Sequence, residues 1–175
     1  IELDGVTAAD FFLAERIEQR TWDGTSGDDT MGIGYTDADS DIITDEYSEF
    51  FVYGGDGNDN INFLRSVDSE FYGGDGNDTI NVKYSSGATY YGGEGDDRLF
   101  LNVRENEAYG GAGDDLIVGA LSHGSGHTMT GDEGADSFVF NNIKHKATSS
   151  VITDFEVGVD SLTVGGQELN LFQID

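Results

Sequence analysis

The sequence predicts an all-β parallel roll, a solenoid of short strands joined by tight turns. Three observations carry this reading: a nine-residue repeat present in four ungapped copies, a spacing of those copies near eighteen residues, and apolar residues at alternating positions after each turn. The copies are Gly54 to Asn62 (GGDGNDNIN), Gly73 to Asn81 (GGDGNDTIN), Gly92 to Phe100 (GGEGDDRLF) and Gly110 to Val118 (GGAGDDLIV). Each reads G-G-x-G-x-D-x-U-x, with U a large apolar residue. A fifth copy, Gly131 to Val139 (GDEGADSFV), carries Asp132 in place of the second glycine.

The copies start at 54, 73, 92, 110 and 131, in steps of 19, 19, 18 and 21. Steps of this size fit two nine-residue halves per coil. Counting 18 residues back from Gly54 reaches Thr36. Thr36 to Thr44 (TDADSDIIT) keeps Asp41 at position six and Ile43 at position eight but lacks the glycines, so it is predicted as a degenerate turn of the same column. Gly24 to Gly32 (GTSGDDTMG) also fits, with Asp29 at position six, but starts only 12 residues before Thr36. It is therefore predicted on the opposite edge. Later turns of that edge fall near Tyr47, Ser66, Ser85, Glu105 and Gly124, none with the motif. The prediction is one motif edge and one edge of ordinary turns, such as Tyr84-Ser85-Ser86-Gly87.

The repeat suits a hard cation. Glycines permit positive φ and close backbone approach, so such a turn can aim carbonyl oxygens at one spot. The Asp at position six adds a carboxylate. Calcium takes about 6–8 oxygen ligands at about 2.3–2.6 Å. One turn cannot fill that sphere, whereas two stacked turns can, which places the ion between successive coils.

Strand alternation sends positions eight and ten inward. Those residues are Ile61 and Phe63, Ile80 and Val82, and Leu99 and Leu101, with Ile117 and Gly119 thinner. On the return strand Val52, Phe71, Tyr90, Ala108 and Met129 should point in. Tyr53, Tyr72, Tyr91 and Tyr109 precede each Gly-Gly and should face out. They read as a ladder of stacked rings or as a sugar- or surface-binding stripe, since exposed aromatics in a row can form a contact face.

Composition narrows the classes. The 175 residues fit one domain or one array. The formal net charge of −27 makes a compact fold repel itself unless cations bind. With 37% hydrophobic and 11% aromatic residues, disorder is not the expected escape. Phosphate and anionic lipid both need a basic surface, so neither nucleic acid nor membrane insertion is expected, and no apolar run is long enough to span a bilayer. With no cysteine there is no disulfide, and a metal is the expected staple for an extracellular life. The chain opens on Ile1 with no signal-peptide pattern, and an excised piece of a longer protein is expected.

The four in-phase nonapeptides resemble the RTX (repeats-in-toxin) family of Gram-negative secreted proteins, over about Gly24 to Val164. Asp136-Ser137-Phe138-Val139-Phe140, Val151-Ile152-Thr153-Asp154-Phe155 and Gly158-Val159-Asp160-Ser161-Leu162 look like the segment that caps such rolls. The resemblance implies a right-handed parallel β-roll, calcium-triggered folding outside the cell, and export by type I secretion machinery. It also implies ligand roles. Position-six carboxylates would coordinate from both flanking coils: Asp41, Asp59, Asp78, Asp97, Asp115 and Asp136, with Asp29 at the matching place of the isolated turn. Backbone carbonyls of positions one to four would supply the remainder. These are Gly54, Gly55, Asp56 and Gly57; Gly73, Gly74, Asp75 and Gly76; Gly92, Gly93, Glu94 and Gly95; Gly110, Gly111, Ala112 and Gly113; and Gly131, Asp132, Glu133 and Gly134. About five ions would lie between the six predicted turns, raising the net charge from −27 to −17, because five divalent ions add ten.

Pattern also marks the ends. Thr7 to Arg20 (TAADFFLAERIEQR) reads as an amphipathic helix with Thr7 as N-cap and Asp10 at N3. Phe11, Phe12, Ala14, Ile17 and Trp22 could cover the first coil, as solenoid ends require. Residues 1–23 are thus an N-terminal helical cap or the end of an upstream domain, 24–140 the roll, and 141–175 a C-terminal capping segment. Asp37 to Asp41 begins like an EF-hand loop, but Ile42 and Ser48 stand where Gly and Glu are needed. His123 and His127 lack a third ligand and read as exposed loop residues. Ala120 to Gly124 lacks the first glycine of a nucleophile elbow. The expected function is a non-enzymatic, secreted or cell-surface calcium module of a larger protein. The alternatives are an adhesin or surface-layer piece that self-associates or binds a surface, and the non-catalytic roll of a hydrolase or epimerase.

Overall fold

The computed structural model describes residues 20–37, 43, 49–120, 126–141 and 149–169. In chain order the strands are β1 (Arg20–Asp23), β2 (Thr30–Met31), β3 (Phe50–Asp56), β4 (Asn60–Val67), β5 (Glu70–Asp75), β6 (Thr79–Ser86), β7 (Thr89–Glu94) and β8 (Arg98–Leu101). They continue with β9 (Glu107–Ala112), β10 (Leu116–Ala120), β11 (Thr128–Glu133), β12 (Ser137–Asn141), β13 (Val151–Ile152), β14 (Ser161–Val164) and β15 (Gln167–Glu168). Successive strands alternate between two sheets, ordered β1-β3-β5-β7-β9-β11-β13 and β15-β14-β12-β10-β8-β6-β4-β2. Each coil gives one strand to each sheet, and every neighbour is parallel except the β14–β15 hairpin. This is the parallel β-solenoid that the repeat spacing predicts.

Alternation places the core. The inward positions Ile61, Ile80, Val82, Leu99, Leu101 and Ile117 from one sheet meet Val52, Phe71, Tyr90, Ala108 and Met129 from the other, all buried. Volumes compensate across the roll: Gly119 leaves the room that Met129 and Phe140 fill, and a Cβ there would lie 2.3 Å from the Met129 terminal methyl. Phe50 enters from the opposite edge and packs its ring 5.6 Å from Phe71 and 5.3 Å from Trp22.

The outward tyrosines form a ladder. Ring centroids of Tyr53, Tyr72, Tyr91 and Tyr109 are 4.6, 4.6 and 5.2 Å apart, with planes within 12° of parallel. The ring faces are turned on one another. A sugar would need those faces for stacking, so the geometry favours a structural ladder over a binding stripe.

Register corrects one expectation. Gly24 to Gly32 lies in the motif column, not on the opposite edge. Trp22 pairs with Val52, Asp23 with Tyr53, and Met31 with Ile61. Gly24 N donates to Tyr53 O at 2.6 Å, and Asn60 N donates to Asp29 O at 2.9 Å. The coil beneath Gly54 therefore starts at Gly24, and the chain between Gly32 and Glu49 is an insertion in the return half. Lengthening a loop costs little closure entropy, whereas misplacing Trp22 and Met31 would expose two core side chains, so the apolar pattern overrides the count of eighteen. Thr36 to Thr44 is accordingly not the preceding turn of the column: Asp29 holds the place assigned to Asp41, which itself lies outside the described residues. Ile43 is buried all the same, and its backbone pairs with Gly34 and Tyr35 at 2.8 and 3.0 Å within the insertion.

The predicted helix lies outside the described residues, except that Arg20 already begins β1. Beyond 140 the stacking continues, with Val151 paired to Thr128 and Ser161 to Ser137, so the capping segment adds strands of a further coil. His127 is buried rather than an exposed loop residue. It sits in an inward polar column on the edge without the motif, where Asn106 N donates to its Nδ1 at 3.4 Å and its own N donates to Ser150 Oγ at 3.0 Å. His123 lies outside the described residues.

Candidate metal site

The motif turns stack so tightly that side chains would not fit. At Gly74 and Gly76 φ is +123°, and a Cβ added there would lie 1.9 Å from Gly55 O and 2.0 Å from Gly57 O of the coil beneath. Carbonyls of positions two and four thus point along the roll towards the following coil. In the fifth turn Asp132 adopts φ +68° in place of glycine, and its N–H is held by Asp154 Oδ2 at 2.8 Å.

Position six forms a carboxylate column. The N–H of Asp29 donates to Asp59 Oδ1 at 2.8 Å, that of Asp59 to Asp78 Oδ1 at 2.7 Å, and that of Asp78 to Asp97 Oδ1 at 2.7 Å. Asp97 N donates to Asp115 Oδ1 at 2.8 Å and Asp115 N to Asp136 Oδ1 at 3.0 Å. Asp59, Asp78, Asp97, Asp115 and Asp136 are each at most 2% exposed. Each carboxylate is fixed by one oxygen. The second oxygen, Oδ2, is buried without a hydrogen-bond partner in Asp59, Asp78, Asp97 and Asp115.

Buried orphan acceptors are costly and point to a missing donor or cation. Their surroundings select a cation. Beside each stands position one, where a Cβ on Gly73 would lie 2.2 Å from Asp78 Oδ2 and 2.5 Å from Gly92 O of the next coil. The same pair of oxygens flanks Gly54, Gly92 and Gly110. Oxygen faces oxygen in these cradles, with no basic side chain among the residues that form them. Burial first, and neighbouring carboxylates after it, push Asp78 up to about 6 and Asp97 and Asp115 up to about 7, against the lowering effect of their backbone hydrogen bonds. Asp59 and Asp136 are also raised, chiefly by burial. Without a cation the column resists ionisation.

The donor set fits calcium. Among the described residues no three His, Cys, Asp or Glu side chains gather on one point, so in the stacked turns backbone oxygens must do most of the coordinating. Asp59, Asp78, Asp97 and Asp115, with the carbonyls of the stacked glycine turns, would hold it. The side chains of Asp56, Asp75, Glu94 and Glu133 at position three are exposed, which leaves their carbonyls as the groups these residues can offer a site. Those carbonyls already accept one N–H each for Asp75, Glu94, Ala112 and Glu133, from Gly57, Gly76, Gly95 and Gly113 at 2.6–2.8 Å.

Two groups escaped the sequence reading. Position five forms a second ladder running the other way: Asn58 N donates to Asp28 Oδ1, Asn77 N to Asn58 Oδ1, Asp96 N to Asn77 Oδ1, and Asp114 N to Asp96 Oδ1, at 2.8–3.0 Å. The signal was present, because position five is Asp or Asn in five successive turns of the column and only Asp and Asn have this reach. Asp160 is the second omission; it continues the position-six column one coil further, accepting Asp136 N at 3.0 Å.

The RTX calcium-binding nonapeptide repeat matches this chain in four copies, over residues 51–65, 68–82 and 91–123. No curated protein matches the chain. The matched segments include the four carboxylates with orphaned oxygens, Asp59, Asp78, Asp97 and Asp115. The repeats of this chain are RTX calcium-binding nonapeptide repeats wound into a parallel β-roll, and they support a calcium-binding module.

Proposed function

We infer that the module folds on calcium outside the cell and serves the secretion and stability of a larger secreted protein. The observation that carries the calcium dependence is the row of four buried, unpartnered Asp oxygens. Bound calcium would neutralise them and tie neighbouring coils together. The metal-free chain then faces raised carboxylates in its turns and a formal charge of −27, and metal binding becomes folding free energy. One ion per orphaned oxygen gives four rather than the five expected from spacing. The extracellular setting and type I export rest on the family resemblance and on a chain with no cysteine, for which a metal replaces the disulfide as staple. In this reading the chain is not itself an enzyme, and any catalysis belongs to another part of the parent protein.

The test is a calcium titration of the chelated chain followed by far-ultraviolet circular dichroism. The β signal should rise cooperatively from a largely unfolded baseline. A complete β signal in excess chelator would remove the folding role.

A further inference from the structure

The two ends of the position-six column differ from its middle. At Asp29 the Oδ2 oxygen accepts the Thr25 N–H at 2.6 Å and the Thr25 hydroxyl at 2.8 Å. At the far end Asp160 uses both oxygens: Oδ1 accepts Asp136 N at 3.0 Å and Oδ2 accepts Glu156 N at 2.7 Å. Asp154 does likewise in the last coil, accepting Gly131 N at 3.0 Å and Asp132 N at 2.8 Å. Between these ends, Asp59, Asp78, Asp97 and Asp115 keep a buried Oδ2 with no donor.

The sequence explains the contrast. Thr25 stands at position two of its turn, where the next four turns have Gly55, Gly74, Gly93 and Gly111; only Thr brings a hydroxyl. The last turn runs from Asp154 to Asp160, seven residues where Gly54 to Asp59 is six, and the longer turn presents the Glu156 N–H to the carboxylate. Both turns also lie outside the repeats matched to the family. An oxygen already facing N–H or O–H hydrogens presents their positive ends to any approaching cation, which would first have to displace them.

We propose that Asp29 and Asp160 are protein-made seals and not calcium ligands, so that calcium is confined to the coils carrying Asp59 to Asp115. This rests on the reading of the column as the calcium site. The two seals act differently: the Asp29 carboxylate closes its own turn through Thr25, whereas the Asp160 carboxylate also ties two coils by accepting Asp136 N.

The test counts calcium in the full chain by elemental analysis after equilibrium dialysis, with the folding midpoint from circular dichroism. Asp29→Asn should lose no ion, whereas Asp97→Asn should lose at least one. Thr25→Val should also lose no ion but should raise the calcium midpoint severalfold, because it strips a donor from a charged acceptor. If Asp29 is a ligand instead, Asp29→Asn loses an ion and Thr25→Val is silent, since the ion would have displaced the hydroxyl. Should Asp29→Asn fail to fold, the Thr25→Val result alone decides between these. A wild-type chain that holds no calcium would overturn the calcium reading itself, a result distinct from either outcome at the end.

Discussion

The main-chain N–H of Asp78 donates to Oδ1 of Asp97 at 2.7 Å, while Oδ2 of the same Asp97 is buried without a partner. One carboxylate therefore has two separate tasks. Its first oxygen ties two coils together. Its second has no task that the protein alone fulfils. In the proposed reading a cation fulfils that second task.

Closing the cradle should be more damaging than removing flexibility. A Cβ on Gly73 would lie 2.2 Å from Asp78 Oδ2 and 2.5 Å from Gly92 O, a backbone atom that cannot step aside. Gly73→Ala should raise the calcium midpoint and destabilise the loaded roll by about 1–3 kcal/mol, as overpacking does. Gly27→Ala is the control, because nothing lies within 4 Å of a Cβ there. Calcium titration and urea unfolding of the two variants compare them, and equal effects would refute the cradle.

Acid should partly replace calcium. In the metal-free roll burial holds Asp78 at about 6 and Asp97 and Asp115 at about 7, against about 3.9 in an unfolded chain. Folded values above unfolded ones mean that the folded state binds more protons. The favourable contribution is thus complete below about pH 4 and is lost as pH rises through 6 to 7. In calcium-free buffer the β signal should grow as pH falls from 8 towards 4. With calcium present the trend reverses, because protons compete for the same oxygens, and the calcium midpoint should rise on acidification. A metal-free signal indifferent to pH would contradict the buried placement of these carboxylates.

The roll and its motif edge were legible because both rest on local chemistry. Glycine at positions two and four is demanded by a carbonyl pressed against the next coil, and Asp at position six is the only side chain there that can reach a neighbouring N–H and still offer an oxygen. Phase between coils was not local. Asp29 and Asp41 both fitted position six, and the choice turned on Trp22 and Met31 finding Val52 and Ile61 across an insertion. A count of residues cannot see that. The sealed state of Asp29 was equally hidden, since Thr25 at position two reads as a mere departure from glycine until its hydroxyl is seen on Oδ2.

The tyrosine ladder should stabilise through its ring contacts and bind no sugar. Tyr91 stacks on both Tyr72 and Tyr109, whereas Tyr53 stacks on Tyr72 alone. At about 0.5–1.5 kcal/mol per aromatic pair, Tyr91→Leu should cost roughly twice what Tyr53→Leu does in denaturant unfolding with saturating calcium. Equal losses would mean that buried area, not stacking, sets the effect.

Magnesium should fail where calcium folds the chain. It demands a near-octahedral shell at about 2.0–2.1 Å and keeps several of its waters. The oxygens here cannot supply that shell. Asp78 Oδ2 and Gly92 O are held by a carboxylate already pinned through Oδ1 and by a backbone fixed in the sheet ladder. Drawing them inward to suit a smaller ion would pull coil on coil and break the N–H bonds that set their spacing. The burial of Oδ2 leaves little room for retained water as well. Calcium accepts about six to eight oxygens at longer and less regular distances, so it can take them where they stand. Far-ultraviolet circular dichroism of the chelated chain should therefore stay unfolded-like at magnesium concentrations where calcium gives the full β signal. Matching midpoints for the two ions would show that charge neutralisation alone drives folding, and that the stacked oxygens are not a size-selective site.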